Sequence, residues 1–181
     1  SMKYFDDQFG IFIEGLRKNG LLESTVIALY GDHTAIPRWD RSSLEKLLGR
    51  NLKNDWEWKY LQRIPLAIKI PGHQALQEEI KGPAGLIDLP DTFAYLMDFE
   101  FRTGFGTNLF ENDRSEPVIF RNGSFITGNV LVEPLSRSAR EMPEGKVLDY
   151  EKYAPMSEEV KKRLSYNDLI LEHDLVPFLV R

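Results

Sequence analysis

The sequence predicts an α/β fold closed by a small antiparallel meander and a last helix. Two observations carry this. Thr25-Val26-Ile27-Ala28-Leu29-Tyr30 is apolar without alternation, as in a strand covered on both faces, and it follows an amphipathic stretch of helical period. After Pro117 the pattern changes to three short apolar runs separated by Asn122-Gly123 and Gly128-Asn129. At 181 residues a chain buries roughly 70% of its unfolded surface, enough for a core without its absent cysteines.

From Tyr4 to Asn19 the residues Phe5, Phe9, Phe12, Ile13 and Leu16 recur at helical spacing, and Asn19-Gly20 supplies the stop, so one helix with one buried face is expected. The strand over residues 25–30 breaks at Gly31. Helix followed by strand suggests a parallel sheet. Ser42-Ser43-Leu44-Glu45 reads as a capping box, with Leu44, Leu47, Leu48 and Leu52 as the stripe behind it. Ile64 to Ile70 is the next strand, ended by Pro71-Gly72. A helix opens near Leu86 and runs to about Phe99, with Pro90 in its first turn and Asp88 and Asp91 near its positive end.

The meander strands are Val118 to Arg121, Ser124 to Thr127 and Val130 to Glu133. Asn122-Gly123 suits a type I′ turn, in which both central residues take positive φ. Residues 134–155 are polar and read as a surface loop. A helix from Met156 to about Leu175, with Val160, Leu164, Leu171 and Leu175 inward, closes the chain. The domain boundaries read as a remnant at residues 1–2, an α/β part over 3–115, and a meander, loop and helix over 116–181.

Charge narrows the function. With 23 basic against 28 acidic residues and no basic run longer than Lys161-Lys162-Arg163, the chain offers no track for a phosphate backbone, so nucleic acid is not expected as a partner. No apolar run approaches the roughly 20 residues that span a bilayer, and this stretch is expected to be soluble. Ser1-Met2 has the look of a tag remnant leading directly into a helix, which suggests a piece of something longer.

The sharpest chemical feature is Asp32-His33, placed directly after the most apolar strand and its Gly31. Ligands gather outside the carboxyl ends of strands in open α/β sheets, and Gly31 lets the backbone turn so that the two side chains converge. A carboxylate beside an imidazole suits Zn²⁺ or Mn²⁺. The alternative is that Asp32 caps a turn and His33 is a satisfied structural imidazole. His73 reads as a surface-loop residue and His173 as solvated between Glu172 and Asp174. Gly104-Phe105-Gly106 lacks the third glycine of a dinucleotide loop, and Asp88 and Asp91 read as helix-start residues. Trp56, Trp58 and Tyr60 alternate with Glu57 and Lys59 and could form a carbohydrate- or glycerol-facing platform, a half-buried strand or core corner being the commoner outcome.

Five segments occur in order: residues 24–33, ending in Tyr30-Gly31-Asp32-His33; Ile64-Pro65-Leu66-Ala67-Ile68-Lys69-Ile70-Pro71-Gly72; Ile87-Asp88-Leu89-Pro90-Asp91-Thr92-Phe93; Gly106-Thr107-Asn108-Leu109-Phe110; and residues 120–127 around Asn122-Gly123. This set resembles the lipoteichoic acid synthase family, within the sulfatase and alkaline phosphatase superfamily.

The resemblance implies the C-terminal part of an extracellular sulfatase-like catalytic domain, anchored on the outer face of a bacterial cytoplasmic membrane through an N-terminal region. It implies a metal-dependent phosphoglycerol transferase that uses phosphatidylglycerol and extends a polyglycerolphosphate chain. Asp32 and His33 become two of its metal ligands, for Mn²⁺ first, with Mg²⁺ or Zn²⁺ as alternatives. The nucleophilic Thr and a Glu ligand are expected upstream, so no catalytic residue is assigned in this chain and the fragment alone is expected to be inactive. Thr34-Ala35 stands where relatives often carry an aromatic residue and Gly. Two readings stay beside this one: a sulfatase or phosphodiesterase-type hydrolase of the same superfamily, and a non-catalytic α/β binding module.

Overall fold

The computed structural model describes residues 2–34, 36–72, 79–111 and 116–179. The chain forms two compact units, Ser1–Trp39 with Arg63–Glu79, and Asp40–Gln62 with Ile80–Arg181. Its helices, a two-stranded sheet and a five-stranded antiparallel sheet make it an α/β chain.

In the first unit, α1 spans Met2–Lys18 and ends where Gly20 takes a φ of 69°, as the Asn-Gly stop requires. Its polar side is stitched by Lys3 with Asp7 and by Glu14 with Arg17 and Lys18. Its other side carries Phe5 stacked on Phe9, ring centres 5.9 Å apart, and Phe12 6.3 Å further along. The helix is where its period puts it, but none of its described residues is buried. The expected buried face is therefore apolar and open.

Strand β1, Ile27–Tyr30, pairs with β2, Leu66–Lys69. The pairing is antiparallel, with Ile27 opposite Lys69 and Tyr30 opposite Leu66, and this corrects the parallel arrangement suggested by the sequence. The ladder is extended by Gly31 N–H, which donates to the Pro65 carbonyl at 3.1 Å, so the end of β1 meets the start of β2. Leu29, Tyr30 and Leu66 are exposed. The two-sided cover that an unalternating strand calls for is not supplied within this unit.

The second unit holds the core. Strands β3 (Val118–Ile119), β4 (Phe125–Thr127), β5 (Val130–Glu133), β6 (Ser138–Glu141) and β7 (Lys146–Leu148) form a meander in chain order, and α5, Ala154–Glu172, closes on it. Phe125, Val132, Ala139 and Val160 are almost completely buried together, with Leu148, Tyr153, Met156 and Leu164 packed around them. Two strands occupy the stretch expected to be a polar loop. Each gives the core little, Ala139 opposite Val132 being the main contribution, so no apolar alternation announced them.

The hairpin at Asn122-Gly123 is present, but Gly123 alone takes positive φ, 83°. Its N–H donates to the Phe120 carbonyl and Asn122 Oδ1 accepts from the Ser124 amide and hydroxyl, which is the longer loop with glycine at the left-handed position rather than type I′.

Helix α2, Arg41–Leu48, is preceded by Asp40 rather than capped by Ser42. Glu45 does not reach back. It accepts from Arg41 Nε at 3.1 Å and from the Leu52 amide at 2.9 Å, and its pKa is held low by that amide first and then by Arg41. Leu44 and Leu52 are buried, whereas Leu47 is exposed. Helix α3, Asp55–Leu61, replaces the alternating strand or platform at Trp56-Trp58-Tyr60; Asn54 Oδ1 caps it by accepting from the Glu57 amide at 2.8 Å. Trp58 is buried, and Trp56 lies between Lys59 and Arg140 at 4.3 and 4.7 Å. Helix α4, Leu89–Leu96, follows a short turn over Leu86–Asp88, and α6, Val176–Leu179, follows α5.

Candidate functional site

Gly31 is closely packed where β1 ends. A Cβ there would lie 3.1 Å from Ile64 Cβ, in a passage already closed by the bond to Pro65. Immediately beyond, Asp32 and His33 stand out into solvent, their side chains 85% and 78% exposed. Asp32 Oδ1 and His33 Nε2 are 3.6 Å apart. The two neighbours thus converge on one point, as the turn at Gly31 allows.

The imidazole is oriented by its other nitrogen. His33 Nδ1 lies 2.9 Å from the Thr34 carbonyl, and a carbonyl oxygen only accepts, so Nδ1 carries the proton. In the neutral ring the lone pair then belongs to Nε2, on the side of the carboxylate. A backbone carbonyl fixing the tautomer from behind is the usual support of a metal-binding imidazole. Two atoms each about 2.1 Å from one ion lie at most about 4.2 Å apart, so the pair fits a shared cation. Among the described residues no group of three or more His, Asp or Glu is gathered as a cation site. His73 lies outside the described residues, and His173 is exposed at the end of α5.

The other acidic pair is structural, as its place at a helix start suggests. Asp88 is buried; Oδ2 accepts from the Gly85 amide at 2.8 Å and Oδ1 from the Thr107 amide at 3.0 Å. Thr92, fully buried, donates to the Asp88 carbonyl and accepts from the Leu109 amide at 3.1 Å. Asp91 is pushed above the ordinary carboxylate range, mainly by burial, against a bond from the Gly106 amide. A Cβ at Gly104 would fall 2.2 Å from Asp91 Oδ1, and one at Gly106 2.2 Å from the Ile87 carbonyl. The Gly104-Phe105-Gly106 stretch is therefore a close-packed loop clamped to the start of α4. Residues 87–93 and 106–110, separate motifs in the sequence, form one hydrogen-bonded joint. The roles of Thr92 and Gly106 were not read from the sequence, although both lie inside the ordered segments.

The comparison with known families gives the class. Residues 1–99 match the sulfatase family, and the chain is a member of it. Several relatives are lipoteichoic acid synthases or synthase-like. It is 31% identical over 98% of its length to the lipoteichoic acid synthase-like protein YvgJ of Bacillus subtilis strain 168, of which it covers 29%. It is 31% identical, also over 98%, to lipoteichoic acid synthase 2 of the same organism, and 32% identical over 97% to the lipoteichoic acid synthase of Staphylococcus aureus strain NCTC 8325, covering 27% of each. The family resemblance carried by the five segments thus holds over nearly the whole chain. The chain spans less than a third of the length of these relatives.

Proposed function

We propose that this chain is the part of a metal-dependent phosphoglycerol transferase that supplies two ligands, Asp32 and His33, to the catalytic cation, Mn²⁺ before Mg²⁺ or Zn²⁺. The observation that carries the reading is the tautomer-fixed Nε2 facing Asp32 Oδ1 at 3.6 Å at the end of β1, in a chain similar over 97–98% of its length to lipoteichoic acid synthases. The cation, when bound, would lower the proton affinity of an attacking hydroxyl and offset charge on the phosphoryl group. Asp32 brings the negative charge that a divalent ion needs, and His33 a neutral donor held by Thr34. The substrate of this reading is phosphatidylglycerol and the acceptor a polyglycerolphosphate chain, on the outer face of a bacterial membrane that other parts of the polypeptide would reach. Among the described residues no helix is long and apolar enough to cross a membrane.

The test uses the complete polypeptide that contains this chain. Asp32→Ala should abolish release of diacylglycerol from phosphatidylglycerol while the melting midpoint stays within the scatter of a surface substitution. Retained turnover removes Asp32 from the site. Glycerol phosphate released free, with no polymer formed, would make the enzyme a hydrolase of the same superfamily. The isolated chain should show no turnover at all, and metal-dependent turnover by it would overturn the split of the site.

A further inference from the structure

In the second unit a cavity of about 380 Å³ lies between the start of α4, the loop over residues 101–105 and α5. Ile87, Pro90, Phe101, Phe105 and Leu164 give it apolar walls. These walls are fixed by the chain itself. Gly104 and Gly106 seat the loop against Asp91 and the Ile87 carbonyl with no room for a Cβ, and Arg163 Nη2 donates to the Phe105 carbonyl at 2.6 Å, which ties the same loop to α5. A largely apolar, preformed cavity of this size with a few convergent polar groups is the usual form of a small-molecule site.

The polar side chains that line it divide by charge. Arg121 is paired with Asp168, Nη2 to Oδ1 at 2.8 Å, and Arg163 with Glu116, so each guanidinium meets the cavity already neutralised. Among the described residues no carboxylate lines the cavity. Thr103 and Asn167 are neutral and half-buried, and among the described residues no hydrogen bond engages either side chain. Asn167 stands one turn after Arg163 on α5, which brings both to the same cavity. We infer that this cavity binds a neutral small molecule, a hydrocarbon body ending in a hydroxyl, for which the Thr103 hydroxyl and the Asn167 amide supply donor and acceptor. An ionised ligand would have to break an ion pair or leave its charge among apolar side chains, whereas a hydroxyl meets groups that have no partner to give up. The inference concerns the second unit alone and stands independently of the transferase reading.

Calorimetric titration of the chain tests this with molecules that share one hydrocarbon tail: n-octanol, octanoate and octylammonium. The alcohol should bind saturably with a submillimolar Kd, and each ion about tenfold or more weaker. Thr103→Val and Asn167→Leu keep the size of the side chain and remove its hydrogen-bonding group. Each should weaken octanol about three- to tenfold and leave the melting midpoint unchanged, since neither side chain has a partner to lose. Asp168→Asn frees Arg121 and should narrow the gap between octanoate and octanol. Tighter binding of octanoate than of octanol by the unaltered chain overturns the proposal, because the cavity is then an anion site. Octanol binding that neither Thr103→Val nor Asn167→Leu weakens overturns it as well, since the alcohol then sits on apolar surface elsewhere, such as the open side of α1. So does the absence of saturable binding at millimolar octanol.

Discussion

At the scale of single residues, the tightest constraint in the molecule is steric. The position of a Gly106 Cβ, 2.2 Å from the Ile87 carbonyl and 2.6 Å from Asp88 Cα, is occupied by backbone, which cannot swing aside as a side chain would. Gly106→Ala must separate the loop from α4 and break the Thr107 bond to Asp88, leaving a buried carboxylate short of a donor. We expect a loss of about 2–4 kcal/mol in urea unfolding, from overpacking plus the unsatisfied group. Asp32→Ala gives the opposite outcome. Its carboxylate is 85% exposed and, among the described residues, is paired with the exposed His33, so stability should change by no more than about 0.5 kcal/mol. The contrast separates acids that hold the fold from the acid assigned to chemistry, and a urea midpoint checks both. The meeting of the Asp32 and His33 side chains was legible because the adjacent glycine and the apolar strand before them state the geometry locally. The joint between Asp88, Thr92 and residues 106–109 was not, because its bonds cross up to 19 positions and their amide donors carry no residue type.

At the scale of elements, what repeats with a period was readable and what depends on a partner was not. The extents of α1 and α5 and the three strands from Val118 to Glu133 follow from apolar spacing and turn glycines. The antiparallel direction of β2 beside β1 is carried by a four-pair ladder that the Gly31 to Pro65 bond extends, and no apolar pattern encodes it. At α3 three aromatics in alternation mimic a strand; the buried Trp58 fits a core corner, and the signal for the helix is the Asn54 cap. Asn54→Ala should therefore cost about 1 kcal/mol and fray α3, measurable as a lowered thermal midpoint. In the meander, Phe125 has no exposed surface and lies against Val132 and Val160, so Phe125→Ala should cost about 3–5 kcal/mol, much of it for the cavity left between sheet and helix. If the loss were below about 1 kcal/mol, the sheet and α5 would not be packed as described.

At the scale of the whole molecule, acid response follows from how carboxylates of the second unit are placed. Glu57 is buried beside Arg50 and accepts from the Lys53 amide at 2.7 Å, and Arg50 first, then that amide, hold its pKa low; Glu45 is held low likewise. A group lowered on folding contributes stability that is present above its unfolded value, near 4.5, and is lost as pH falls through the folded one. Asp91 runs the other way. Burial raises it above its ordinary 3.8, so the folded state holds the proton more tightly and stability declines as pH rises from that value through the raised one. The two effects meet in a maximum in the mildly acidic range. Asp91→Asn cannot ionise but keeps a carbonyl oxygen for the Gly106 amide. It should flatten the decline on the alkaline side of the maximum and leave in place the acid limb, to which Glu45, Glu57 and Glu100 contribute. Thermal midpoints between pH 3 and 8 decide this: a variant that keeps the alkaline-side decline, or moves the acid limb instead, shows that Asp91 is not the group whose burial opposes folding at neutral pH.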